Sequence, residues 1–255
     1  MATNPETQAS PLTSYILQLA DNALILGHRL SEWCGHAPAL EEDIALTNIA
    51  LDLIGQAREW YQYAGEIESK AEDDYAYQRP EHLFRNLLLV EQPNEDFAYT
   101  IVRQFFFDAF NFYLHQQLQH STNQRIAEIA EKSLKEITYH LRHSSEWVIR
   151  LGDGTPLSHQ KMQTAIDELW MFVGEMFLPS PADRAAESNQ TAPQLESIGI
   201  NWHKKISEVL QQATLRKPTE QWTQSGGKNG THTEHLGYIL AEMQYLPKTY
   251  PGAKW

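Results

Sequence analysis

The chain has 255 residues, of which 42% are apolar and 21% charged, as expected for a globular protein of one larger or two small domains and not for a disordered chain. A formal net charge of -13 without a long Lys/Arg tract argues against nucleic acid and anionic lipid as partners. The single cysteine, Cys34, excludes an internal disulfide framework and a multi-thiolate metal site built from this chain alone.

The N-terminal residues predict neither a secretion signal nor a membrane anchor. Residues 1–11 are polar and lack both a basic region and an apolar core. No apolar run approaches the roughly 18–20 residues of a membrane span. We therefore expect a cytoplasmic protein whose residues 1–11 are flexible.

Apolar residues at three- and four-residue steps predict two helices in the first third of the chain. The first covers residues 15–33, after candidate caps at Thr13 and Ser14. The second covers residues 41–63, with three acidic residues at the positive end of its dipole. Residues 66–74 then read as a charged loop.

The middle of the chain predicts two more long helices. Pro80, at a first-turn position, is expected to open a short helix that ends near residue 89. An unusually aromatic run over residues 96–119 predicts a long helix buried on more than one side. Asn123 can cap the next helix, which ends before Gly152.

The last third is less regular but also helical. Residues 157–177 and 198–212 predict helices, and a glycine-rich turn at 226–230 precedes a final helix over 232–246. Three prolines and few apolar residues make 179–193 the best candidate for an exposed or mobile linker.

These elements predict an all-α fold, a ferritin-like helical bundle with additional C-terminal helices. Residues 12–255 would form one domain, with a core bundle over about 12–152 and accessory helices over 156–250. No alternating pattern long enough for a sheet is present.

A ferritin-like bundle raises the question of a di-iron site. Such a site takes one carboxylate from each of two helices and a Glu-x-x-His pair from each of the other two. The imidazole must lie three residues after the acid because that spacing places both on the inward face. None of the 33 acidic residues is followed three positions later by histidine.

Four acidic residues remain as the possible remnants of a lost site: Asp21, Asp52, Asp108 and Glu136. The alternative is that each lies at the edge of a buried face and pairs with ordinary polar groups. Buried carboxylates need compensation, from Lys135, Arg103 or hydrogen bonds. We expect a polar network in place of a metal.

Two histidine pairs invite other interpretations. His140 and His143 are spaced to reach one metal, but nearby arginines favour an ordinary polar face. The start of the final helix, with its exposed N–H groups, could accept a phosphate or carboxylate or contact a partner. A turn and cap at Thr231 or Thr233 that docks this helix is the preferred interpretation, and the residues concerned are Lys228, His232, Glu234 and His235.

Several segments, spread over nearly the whole chain, resemble the C-subunit family of phenylacetyl-CoA epoxidase. Together with the string Gln160-Lys-Met-Gln163, these segments cover essentially all of the chain except the first ten residues and residues 179–193. The segments are Leu30-Ser-Glu-Trp-Cys-Gly-His-Ala-Pro38, Asp43-Ile-Ala-Leu-Thr-Asn-Ile-Ala-Leu-Asp-Leu-Ile-Gly-Gln-Ala-Arg58, Asn86-Leu-Leu-Leu-Val-Glu-Gln-Pro-Asn94 and Gly226-Gly-Lys-Asn-Gly-Thr-His-Thr-Glu-His-Leu-Gly237.

The resemblance implies a structural subunit without catalytic or cofactor-binding residues of its own. Its partner would be a related catalytic subunit that holds the di-iron centre and converts phenylacetyl-CoA to its ring epoxide in phenylacetate catabolism. Oxygen and NADPH-derived electrons would be used, and the full complex would also include a reductase and a small accessory subunit. The missing Glu-x-x-His pairs agree with this assignment.

Two other classes of function stay open from the sequence. One is an independent di-iron metalloenzyme with non-standard ligands, which requires the four carboxylates to converge. The other is a self-assembling helical scaffold protein that ignores any oxygenase subunit.

Overall fold

A computed structural model describes residues 10–219 and 222–253. Every regular element within these residues is helical, which confirms the all-α prediction. The segment 1–11 predicted to be flexible lies outside the described residues, except for Ser10 and Pro11, which start the first helix.

Nine α-helices are joined by short π and 3-10 turns over the described part of the chain. The first four helices are α1 (Pro11–Ser31), α2 (Leu40–Glu68), α3 (Phe97–Leu118) and α4 (Gln124–Gly152). The later helices are α5 (Pro156–Leu169), α6 (Pro181–Ser188), α7 (Leu195–Gln212), α8 (Glu234–Met243) and α9 (Tyr245–Thr249). The short turns are Asp74–Gln78, Glu81–Leu83, Leu88–Glu91, Trp170–Phe172, Gly174–Phe177 and Gly227–Asn229.

Several helices start at side-chain caps. Asp96 and Asn123 accept hydrogen bonds from backbone N–H groups of the first turns of α3 and α4, at 3.0 and 3.1 Å, which confirms the predicted starts. The caps predicted for α1 at Thr13 and Ser14 are wrong. Ser10 is the cap, since Pro11 fits the first helical position and lengthens the helix by one turn.

Two antiparallel helix pairs form the bundle. Helix α1 packs along α2, and α3 packs along α4, with α2 and α4 also in contact. Gly27 permits the close approach of the first pair, because a Cβ there would lie 3.2 Å from the carbonyl oxygen of Ala50. Helices α5 and α7 cover α3, and α6 covers α1. Both α1 and α3 are therefore buried on more than one side, as predicted for the aromatic α3.

The connection from α2 to α3 differs most from its prediction. Residues 80–89 form no continuous helix, and α2 continues to Glu68 through part of the expected loop. Backbone N–H groups of this connection point instead at buried side chains of other elements. Those of Arg85, Leu87 and Leu88 donate to Asp21, Asn22 and Glu175, respectively, at 2.7–2.8 Å. Long-range partners thus replace helical bonds here.

Residues 179–193 do not form the exposed linker predicted from their prolines. Ser180 and Asp183 make a reciprocal capping box that starts α6, with Pro181 at the first helical position. Ala182 and Ala186 are buried. Pro181 therefore marks the start of a packed helix.

The remaining boundaries shift slightly. The helix predicted over 157–177 ends at Leu169 and continues as 3-10 turns, and the final helix starts at Glu234 and breaks after Met243. None of the described helices has the length and apolarity needed to cross a membrane.

Candidate functional site

Asp21 is the most enclosed of the four candidate acids. It lies in the middle of α1, with no exposed surface. Both terminal guanidinium nitrogens of Arg79 donate to it, and it also accepts from the Tyr61 hydroxyl at 2.6 Å and the Arg85 backbone at 2.7 Å. Burial lowers the pKa of Arg79, but the carboxylate of Asp21 more than offsets this and the net shift is upward. Asp21 and Arg79 therefore form a buried ion pair.

Asp108 on α3 is also buried, but no cation in the described part of the chain pairs with it. It accepts hydrogen bonds from Gln104 at 2.6 Å and from the Ser144 hydroxyl at 2.8 Å. Burial raises the pKa of Asp108 to about 6, against the opposing influence of the nearby His140. Arg103, one of the cations expected to compensate, donates instead to backbone carbonyls and to a side chain of the connection before α3.

Asp52 and Glu136 lie in a row of polar contacts between α2 and α4. Asp52 is 3.0 Å from the Nε2 of His140, and Glu136 accepts from Gln56 at 2.9 Å. His143 contacts a different carboxylate, that of Glu42, at 3.0 Å. The two histidines therefore face separate acids along the seam and do not converge on one point.

The two-iron ligand set of a ferritin-like bundle does not fit these residues. Over residues 10–219 and 222–253, no group of three or more His, Cys, Asp or Glu side chains is arranged to hold a metal ion. The oxygens of Asp21 and Asp108 are occupied by protein donors. The four candidate acids thus belong to polar networks within the protein.

The start of α8 binds a carboxylate, but one that the chain itself supplies. Glu91 accepts from the backbone of Thr233 at 2.7 Å, the cap position, and contacts the ring of His232 at 3.1 Å. Burial acts to lower the pKa of His232, but Glu91 raises it above its ordinary value. Thr233 stands at the cap position of α8, but its side chain makes no capping bond, and Glu91 binds the backbone N–H of this cap residue itself.

Lys228 is likewise occupied from within. Its ammonium group is buried and lies 3.1 Å from Asp183 and 3.0 Å from the carbonyl of Leu178. Lys228 and His232 thus already contact anions of the same chain, Asp183 and Glu91, and contact with an external anion or a partner there stays a prediction. Glu234 is exposed in the first turn of α8, and His235 is half-buried.

The buried carboxylate of Glu175 shapes the glycine-rich turn. Glu175 accepts from the backbone of Leu88, Gly226 and Gly227 at 2.7–2.8 Å. A Cβ on Gly227 would lie 2.1 Å from the carbonyl oxygen of Asn86, so only glycine fits there. The turn therefore docks the C-terminal segment onto the α2–α3 connection, in agreement with the preferred sequence interpretation.

Sequence reasoning missed Arg79, Glu91 and Glu175 as members of these networks. Glu175 carries a signal, because it is the single charged residue in the apolar run 169–178. A lone acid in such a run indicates a buried carboxylate. Arg79 and Glu91 lie in a connection without periodicity, where no pattern shows what they contact.

Replacing Arg79 by Met should destabilise the fold strongly, since it leaves Asp21 charged and unpaired in the interior. We expect a loss of about 3–5 kcal/mol in the free energy of unfolding, measured with denaturant. Arg58→Met is the matched control, because Arg58 is exposed and its partner Glu72 is only half-buried, so this pair should contribute roughly 0–1 kcal/mol. Adding Asp21→Asn to Arg79→Met should recover most of the loss. Equal effects of Arg79→Met and Arg58→Met would contradict the buried-pair interpretation.

Asp108 predicts a specific pH dependence of stability. Its folded-state pKa of about 6 exceeds the ordinary 3.8, so the unfolded chain releases this proton first. Burying the charged carboxylate of Asp108 lowers the free energy of unfolding. This cost is absent below the unfolded-state pKa, grows as pH rises and is complete above about pH 6. Asp108→Asn should therefore gain roughly 2–2.5 kcal/mol relative to wild type between about pH 4 and pH 8, since pH 4 already lies slightly above the ordinary pKa of 3.8. Unfolding titrations at both pH values test this, with the exposed Asp167→Asn as control, and a pH-independent difference would refute it.

Comparison with known proteins supports the family resemblance. The whole chain, residues 1–255, matches the family model described as phenylacetic acid catabolic protein. Over 245 residues the chain is 49% identical to the C subunit of 1,2-phenylacetyl-CoA epoxidase from Escherichia coli (strain K12), an alignment that covers 96% of this chain and 99% of that relative. The chain therefore belongs to the phenylacetic acid catabolic protein family.

Proposed function

We propose that this chain is the non-catalytic structural subunit of a multicomponent phenylacetyl-CoA 1,2-epoxidase in phenylacetate catabolism. Its role is to bind and stabilise the di-iron catalytic subunit. The observation that carries the proposal is the 49% identity, over nearly the full length of both chains, to the C subunit of an epoxidase.

The interior geometry supports a role without chemistry of its own. Asp21 is neutralised by Arg79, and Asp108 is held by two uncharged donors. Glu136 and Asp52 contact Gln56 and His140 across the α2–α4 seam. The polar groups at the positions expected of iron ligands are thus used to join helices to each other.

Other buried carboxylates make the chain suitable as a rigid support for a partner. Three buried carboxylates, Glu91, Glu175 and Asp183, fix the C-terminal segment to the bundle through bonds of 2.7–3.1 Å. A rigid neighbour helps a catalytic subunit to hold its metal ligands in place. On this proposal, the catalytic subunit, the small accessory subunit and the reductase provide the iron, the oxygen chemistry and the electrons.

The two alternative functions have less support. An independent metalloenzyme needs converging ligands, whereas the four candidate acids have separate partners within the chain. A self-assembling scaffold would form a stable homo-oligomer and would not bind the catalytic subunit.

Co-expression with the catalytic subunit, followed by metal analysis of each separated polypeptide, tests the proposal. We expect a stable complex with iron on the partner alone. The double variant Asp52→Asn/Glu136→Gln should leave turnover within about twofold of wild type, because neither carboxylate contacts the reacting centre.

The matched control is removal of one iron-binding carboxylate from the catalytic subunit, which should abolish turnover in the same assay. Stoichiometric iron on this chain, or a loss of orders of magnitude in the double variant, would contradict the non-catalytic role. Failure of the two chains to associate would contradict the role as a partner subunit.

A further inference from the structure

A small cavity lies inside the bundle where α1, α2 and α3 meet. Its volume is about 10 Å³. Side chains from all three helices line it, and most of the apolar ones are aromatic or aliphatic core residues. Four of its lining residues, however, are polar: Asn22, Gln56, Asn111 and His115.

His115 brings an unsatisfied hydrogen-bonding atom to this cavity. The ring is only 2% exposed, and its Nδ1 lies 2.9 Å from the carbonyl oxygen of Asn111. A carbonyl can only accept, so Nδ1 carries the proton and Nε2 presents a lone pair. That Nε2 is buried without a hydrogen-bond partner among residues 10–219 and 222–253. A buried acceptor left unpaired costs about 1–3 kcal/mol.

Gln56 offers a second polar group at the same place. Its side-chain nitrogen donates to Glu136 on α4, and its carbonyl oxygen takes no part in that bond. The amide of Asn22 accepts from the backbone of Leu87 through its oxygen, so its nitrogen is the available donor. Acceptors and a donor thus surround the cavity on three helices.

We propose that this cavity binds one ordered water molecule, which donates a hydrogen bond to Nε2 of His115 and bonds the amide groups of Gln56 and Asn22. The volume suits a single water molecule, and a buried water needs two to four polar partners. The water extends a chain of hydrogen bonds from His115 on α3 through Gln56 on α2 to Glu136 on α4.

The chemistry of the lining favours water over the other small occupants. A divalent metal would need carboxylate or several imidazole ligands, and the four polar lining residues supply one neutral imidazole and three amides. Burial lowers the pKa of His115 to about 4, so this ring stays neutral and keeps its acceptor near neutral pH. If the cavity were empty, Nε2 would lack a hydrogen-bond partner. Purely apolar cavities stay dry because they hold no such polar group.

A high-resolution crystal structure of the full chain tests the proposal on the wild-type protein. We expect one density peak with contacts of about 2.7–3.2 Å to Nε2 of His115 and to at least one of the two amides. A dry cavity, in a map that resolves other buried waters, would overturn the proposal. So would an anomalous peak with ligand distances near 2.1 Å, which indicates a metal.

A solution experiment provides the second test. In a histidine-labelled chain, magnetisation transfer from water to the His115 ring should give a cross-peak. His115→Phe removes the acceptor and places ring carbons near the cavity, so the water density should disappear from its structure. His203→Phe, at an exposed position of α7 outside the cavity, is the matched control and should retain both the density and the cross-peak. Water density that persists in His115→Phe would contradict the assigned hydrogen bond.

Discussion

A carboxylate taken out of water must find a partner, and this requirement shapes the interior of the protein. Asp21 lies at the centre of α1 with no exposed surface, and its charge is matched by Arg79 from the connection between α2 and α3. That connection must therefore run back across α1, which explains its extended backbone between short turns. Glu91, which lies in the same connection, binds the backbone at the start of α8. Glu175 binds the backbone of both the connection and the glycine-rich turn.

Local sequence patterns accounted for much of the fold. Helical periodicity located α1 to α4 and α7, and the predicted cap Asn123 located the start of α4, because these features depend on residues within a few positions of each other. The prediction was wrong over 80–89 and 179–193. In the first segment, backbone N–H groups bind side chains far away in sequence, and in the second a capping box starts a helix despite the prolines.

The candidate site shows the same division between local and distant information. The absence of any Glu-x-x-His pair is a local property and was visible in the sequence. The partner of Asp21 was not, since Arg79 lies 58 residues away in a segment without periodicity. Lys228 and His232 had the right chemistry for an anion, and their anions proved to be Asp183 and Glu91 of the same chain. A sequence shows which residues can pair, while the fold determines which of them do.

Membership in the phenylacetic acid catabolic protein family and an interior compensated by its own residues support the central proposal, that this bundle is complete without a metal. The most direct test is thermal unfolding of the isolated chain in the presence of ferrous iron or of a strong chelator. A ligand that binds the folded state alone raises the midpoint with its concentration. The account predicts the same midpoint under both conditions. A midpoint that rises with ferrous iron and falls with the chelator would contradict it.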